Sequence, residues 1–292
     1  MLDLILQTSV NAFYASSYTA LMAVGLVLIF GVMGVVNFAH GELFMVGAYM
    51  VFFLYATLGW PFPIAVGCAI IIVASIGIVM ERLLFRPMRG NPLGGLIMSV
   101  GVLFILQVAA VDIAGLGLSK NIPPAYEGSL NLFGSDTLTL PRQRLVVVFA
   151  AIVALGLLWL FLKRTKLGWA LRACAQDPEA AARQGISLNK TSMLAMALGA
   201  GLAGAAGAVL APIVQVTPYM GHAYIVTAFI VIIVGGMGSL EGAIVASVLY
   251  TFFDTFVTTF IDGTTSAILG LVLMLVVLVV KPTGLFGTAE KV

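Results

Sequence analysis

Charge is what this chain has least of. Asp, Glu, Lys and Arg make up 9% of its 292 residues, against 61% hydrophobic residues. A soluble domain carries about 25% charged residues to cover its core, so a water-facing globule is excluded. The net charge of +2 and the lack of any basic stripe exclude a nucleic-acid partner. Cysteine is almost missing as well: Cys68 lies in an apolar run and Cys174 among basic residues, and two so placed make no disulfide framework. Two histidines, His40 and His222, are too few for a His-based metal site. No G-x-x-x-x-G-K-[ST], H-E-x-x-H or G-x-S-x-G occurs, so the chain brings no P-loop and no catalytic centre, and no enzymatic activity is expected. One G-x-G-x-x-G, Gly199 to Gly204, follows no strand and precedes no suitably spaced acid; it reads as a small-residue face for close helix packing. The stretch Met1 to Thr8 holds Asp3 and no Lys or Arg, so it lacks the basic start of a cleaved signal peptide, and the first span is expected to stay.

What the chain has instead is apolar length. Nine stretches, at roughly 8–30, 41–59, 62–83, 93–113, 144–162, 191–211, 223–238, 241–260 and 264–281, approach or reach the ~20 residues that cross a bilayer. The fold class is therefore all-α integral membrane: a polytopic helical bundle of about eight or nine spans in a single transmembrane domain over 1–292. Gly235-Gly236-Met237-Gly238 separates a short seventh stretch from the eighth, and that pair reads either as two spans or as a broken, re-entrant element.

The few cations cluster. Arg82, Arg86 and Arg89 follow the third stretch; Lys163, Arg164, Lys166, Arg172, Arg183 and Lys190 lie between the fifth and sixth; Lys281 and Lys291 end the chain. The groups follow the third, fifth and ninth stretches, so even numbers of spans separate them and all three lie on one side, which the positive-inside rule makes cytoplasmic, with the N-terminus outside and the C-terminus inside. The other three, Lys120, Arg142 and Arg144, share an outward loop with Glu127 and Asp136.

Residues 163–190 hold a helix signal. Asp177 can cap free N–H groups, Pro178 suits the first helical position, Glu179 favours the positive end of the helix dipole, Ala180 to Ala182 carry the helix and Gly185 can close it. A helix this short is not stable alone; it reads either as a well-formed turn in an ordinary basic loop or as a segment held by a partner.

Polar residues mark other places. Asn37, His40 and Glu42 lie between the first two stretches beside Gly31, Gly34 and Gly41. They form either a broken helix lining the path, since non-helical backbone survives at depth only against protein or a water-filled cavity, or a polar turn at the inner interface. Asp254 sits within the eighth stretch with Thr251, Thr255 and Thr258 nearby; it can meet a substrate amino group or bond a neighbouring helix. Glu81 and Asp112, ending the third and fourth stretches near Gln107, are expected to snorkel to the interface, and His222 reads as an outer-loop surface residue. Met33-Gly34 leading to Gly41, and Met237-Gly238 leading to Gly242, form a faint internal echo.

The segment Gly168 to Gly185, with Arg172, Asp177-Pro178-Glu179-Ala180-Ala181 and Arg183, resembles the cytoplasmic coupling loop of ABC-importer permeases. The stretch Gly25 to Glu42 is similar to the signature of branched-chain amino-acid permeases, and Gly235 to Gly242 matches that family near its end. The likeness covers essentially the whole chain and is closer to the shorter of the two permeases in that importer. It implies half of a translocation path for branched-chain or similar apolar amino acids in a bacterial inner membrane. It also implies a homologous second permease, two cytoplasmic ATPases that bind ATP and magnesium, and an extracytoplasmic binding protein. Arg172, Asp177, Pro178, Glu179, Ala180, Arg183 and Gly185 would then contact the ATPase, while Asn37, His40, Glu42 and Asp254 would border the path. A small apolar cargo needs no strong charge clamp there. Urea or short amides are an alternative cargo within this family. An ion-coupled transporter using Asp254 or Glu42, or a passive channel, is the alternative from another class.

Overall fold

The structure, a computed structural model, describes residues 1–114, 119–131 and 138–287. A helix forms on each of the nine apolar stretches: α1 Leu2–Met33, α2 His40–Val51, α3 Phe62–Met80, α4 Pro92–Ala114, α5 Arg142–Arg164, α8 Leu188–Leu210, α9 Gly221–Gly235, α10 Leu240–Phe260 and α11 Gly263–Val280. A π-helical turn, Phe52–Thr57, extends α2. Two further helices, α6 Lys166–Gln176 and α7 Pro178–Arg183, occupy the basic loop. Seven of the nine are long and apolar enough to cross a membrane; α2 and α9 are not. Strand among the described residues is confined to an antiparallel pair, β1 Ser129–Asn131 and β2 Thr139–Pro141, with Leu130 opposite Leu140. The chain is an all-helical, multi-pass membrane protein.

Contacts sort the chain ends of the helices onto two faces. On one, Gln7 Nε2 near the start of α1 donates to the Thr139 carbonyl at 3.1 Å, Lys120 pairs with Val216, Lys120 lies over the Phe52 ring, and Tyr126 meets Phe62. On the other, Gly31 near the end of α1 faces Ala175 of α6 and Gly238, while Phe286 donates to the Gly235 carbonyl at the end of α9. The second face carries Arg82, Arg86, Arg89, the 163–190 cations and Lys281. Lys291 and Asp136, used in the sequence argument, lie outside the described residues.

The centre of the bundle is α1 and α8. Some 67% and 78% of their apolar windows are buried, against 11% for α11 at the periphery of the chain. Close approach explains why α8 is so rich in small residues: a β-carbon on Gly207 would overlap the Phe44 carbonyl of α2.

The order around this centre occurs twice, inverted. Helix α1 runs from the amino-terminal face to the basic face and ends at Gly34, in a left-handed conformation with φ 64°. The non-helical residues 34–39 then turn back. His40, at the start of α2, reaches the carbonyl of Met22, which lies about 16 Å above the end of α1 at 1.5 Å per residue. Six extended residues span about 20 Å, enough for that return. Helix α2 thus starts at mid-depth and leaves by the amino-terminal face. Helix α8 crosses the other way, residues 211–220 turn back in, and α9 starts at mid-depth and leaves by the basic face. Each short helix is followed by two spanning helices, α3–α4 and α10–α11. Inverted repeats with discontinuous helices are a known transporter architecture.

Three expectations change here. The re-entrant turn of the second half precedes α9, whereas Gly235 to Gly238 simply link α9 to α10 at the basic face. The structural repeat therefore pairs the start of α2 with the start of α9, and the echo between Gly34 and Gly238 does not align it. Glu81 does not snorkel: its side chain is fully buried and accepts hydrogen bonds from Arg86 (2.6 and 3.2 Å) and Arg89 (3.3 Å). The cations come to the acid because the helix continues past Met80 as a π-helical turn, Glu81–Phe85, and a 3-10 turn, Arg86–Met88, which set Arg86 about one turn and Arg89 about two turns beyond Glu81.

Candidate functional site

The two half-helices begin against each other. A β-carbon on Gly41 would overlap the carbonyl oxygen of Gly221, and one on Gly221 would overlap that of Gly41, so glycine is required at both places for the backbones to touch. The positive ends of two helix dipoles consequently face one small region inside the bilayer.

The break before α2 is stitched to its surroundings. Phe38 N donates to Ser99 Oγ of α4 at 3.1 Å, and Ala39 N donates to Asn37 Oδ1 at 3.1 Å. His40 Nε2 lies 3.1 Å from the Met22 carbonyl, which can only accept, so that nitrogen carries the proton. Gln107 Nε2 of α4 donates to Glu42 Oε1 at 2.9 Å. The Phe38 ring packs on Phe229 of α9, with centroids 4.9 Å apart. Asn37, His40 and Glu42 are all fully buried, at the centre of the molecule and not at an interface turn.

Asn37 Nδ2, His40 Nδ1 and Glu42 Oε2 have no hydrogen-bond partner among the described residues. Leaving such groups unmet costs about 1–3 kcal/mol each. The break therefore presents a donor and two acceptors that a polar group can satisfy. Beside it lies a cavity of about 360 Å³ lined by Phe38, Leu103, Phe104, Gln107, Tyr219 and His222. His222 is exposed, as expected of a surface residue, but it is the second residue of α9 and a wall of this cavity instead of an outer-loop residue. Gln107 likewise belongs to the centre.

Asp254 of α10 bonds a neighbouring helix. Its Oδ1 accepts from Ser266 Oγ of α11 at 2.6 Å, and its carbonyl accepts from the same hydroxyl at 3.1 Å, which ties α10 to α11.

A second set of residues sits on the basic face. Asp177 Oδ1 accepts from Ala180 N at 2.9 Å, Pro178 takes the first position, and Gly185 adopts φ 82°. Within α7, Glu179 and Arg183 approach to 3.7 Å with 85% and 80% of their side chains exposed, and Ala181 alone points inward. The preceding α6, absent from the sequence reading, is capped by Thr165, whose Oγ1 accepts from Gly168 N at 2.9 Å. Its buried stripe of Gly168, Leu171 and Cys174, spaced by three, is the signal that identifies it. Arg172 projects from the exposed side of this helix.

Comparison with known proteins gives these sites a context. The family described as "Branched-chain amino acid transport system / permease component" matches residues 8–280. The chain is 30% identical to the high-affinity branched-chain amino acid transport system permease protein LivH of Escherichia coli K12, over 98% of this chain and 96% of LivH. It is 33% identical to the corresponding BraD of Pseudomonas aeruginosa, again over 98% and 96%. LivM of Salmonella typhimurium, named as a permease of the same kind of system, is 26% identical over 78% of this chain and 59% of LivM. No solved structure matches. Matched along nearly its whole length, the chain belongs to the permease family of branched-chain amino acid transport systems.

Proposed function

We propose that this permease forms half of the transmembrane path of an ATP-driven importer for branched-chain or other apolar amino acids, and that cargo passes where α2 and α9 meet. The observation that carries this reading is the pair of half-helix N-termini touching at mid-depth beside a cavity, with Glu42, Asn37 and His40 supplying unmet polar atoms. Binding sites of inverted-repeat transporters lie where such helices break. The substrate class rests on the names of LivH and BraD.

The other half of the path is a LivM-like second permease. ATP and magnesium belong to two separate ATPase subunits, and a binding protein outside delivers the cargo. The basic face is cytoplasmic under the positive-inside rule, so the N-terminus lies outside and the described C-terminal end inside, in a bacterial inner membrane. The exposed side of α7, framed by Arg172, Asp177, Pro178, Glu179, Ala180, Arg183 and Gly185, docks on the ATPase. Closure of the ATPases pushes α7. Helix α8 follows it directly and packs on α1, α2 and α3, so the push reaches both half-helices. A ligand or nucleotide shifts the two states only by its differential affinity for them.

The test is reconstitution in vesicles with the second permease, ATPases and binding protein. Leucine should accumulate only with ATP, and Glu42→Gln should cut uptake about tenfold or more, the effect of weakening one charged contact within the membrane. Accumulation driven by a proton gradient without ATP would refute the reading.

A further inference from the structure

An apolar groove of about 770 Å³ runs between α5, α3 and α8, walled by Ala74 of α3, Ala154, Leu157 and Phe161 of α5, and Gly201 and Ala205 of α8. Its one charged wall residue is Arg164, where α5 ends on the basic face. Arg164 is exposed and has neither ion pair nor hydrogen bond among the described residues. Lys163 and Lys166 flank it. Lys163 lies 4.5 Å over the Trp159 ring, and Trp169 Nε1 donates to the Lys163 carbonyl at 2.9 Å. Both tryptophans are exposed, as expected of an aromatic belt at headgroup level.

These features specify an occupant. The walls belong to spanning helices and offer almost nothing to hydrogen-bond water, so the groove suits a hydrocarbon chain. At its mouth stands Arg164, with Lys163 and Lys166 next to it in the chain, and none of the three forms an ion pair among the described residues. Basic pockets between transmembrane helices, at the membrane surface, bind anionic headgroups. We propose that the groove holds an acyl chain of an anionic phospholipid whose phosphate pairs with Arg164. The site lies between the helix that enters the α6–α7 excursion and the helix that leaves it, so a bound lipid braces the segment that transmits force. This inference does not depend on which compound is carried.

The test uses the full chain purified in mild detergent, with retained phospholipid measured by mass spectrometry and rebinding measured with added phosphatidylglycerol or phosphatidylethanolamine. Wild type should retain phosphatidylglycerol in preference to phosphatidylethanolamine. Arg164→Ala should lose about fivefold, the effect of one cation beside an anionic headgroup, and Arg164→Lys should keep most of it. Ala154→Phe, which fills the groove and leaves the guanidinium, should also lose it. Equal retention in wild type, Arg164→Ala and Ala154→Phe would overturn the proposal. So would efficient cross-linking of Leu157→Cys to a second polypeptide, which would place a partner helix in the groove.

Discussion

Arg89 reaches from just past the turns that follow α3 to Asn189 in the first turn of α8, its Nη1 donating to Asn189 Oδ1 at 2.6 Å. The same guanidinium touches Ser192 Oγ at 3.2 Å and Glu81 at 3.3 Å, so one side chain clamps α3 to the helix that follows α7. Replacing Arg86 and Arg89 together with Ala leaves the buried Glu81 carboxylate unpaired, at a cost of about 3–5 kcal/mol. Adding Glu81→Met should recover most of the loss. Thermal unfolding in detergent, followed by tryptophan fluorescence, measures both.

The contact between Gly41 and Gly221 tolerates no side chain. Gly221→Ala should destabilise by about 1–3 kcal/mol through overpacking and should lower uptake further than stability alone accounts for, because it separates the two half-helices. Gly67→Ala, where a β-carbon meets nothing within 4 Å, is the matched control and should melt at or slightly above wild type. Melting temperature and vesicle uptake, compared across the three proteins, give the answer.

Reversing both charges of α7, with Glu179→Arg and Arg183→Glu, preserves the pair and alters only what the helix presents. Such an exposed pair contributes little to stability, so insertion and melting should stay at wild-type values. ATP hydrolysis should continue while uptake per ATP falls. An unchanged ratio of uptake to hydrolysis removes the docking role.

Asp262 caps α11 on the amino-terminal face, accepting from Thr265 Oγ1 at 2.6 Å and Thr265 N at 2.8 Å. The Thr265 hydroxyl first, and then its backbone N–H, hold the carboxyl below the usual carboxylate range. A lowered folded-state value means that the stabilisation is present above the ordinary range and is lost as pH falls through the lowered value. Wild type should therefore melt above Asp262→Asn at neutral pH, with the gap closing in acid. A gap independent of pH would assign the cap to geometry alone.

Local signals made much of this molecule legible in its sequence. Long apolar runs locate every helix of the bundle, since lipid permits few other structures. Asp177, Pro178 and Gly185 announce α7 because capping depends on neighbours in the chain. Thr165 and the Gly168–Leu171–Cys174 stripe could have announced α6 in the same way. What stayed hidden depends on distance in sequence. Asn37, His40 and the glycines around them mark a break, but nothing in Val35-Val36-Asn37-Phe38-Ala39 decides between mid-depth and the interface, because its support comes from Ser99 and Phe229. Gln107 reads as the end of a span until Glu42 is placed beside it. Glu81 was misread because snorkelling assumes that an acid near a span end reaches for water, whereas here two arginines turn back to it.

Helices α6 and α7 break the equivalence of the two faces. With α5 set aside as well, the remainder of the bundle is close to interchangeable top for bottom, α1–α4 and α8–α11 supplying the same series of elements in opposite sense. A scaffold of that kind has no inherent preference for inward or outward flow. Whatever vectorial bias the molecule acquires must enter through the lopsided insertion that α5 opens, residues 142–187, and through whatever grips it.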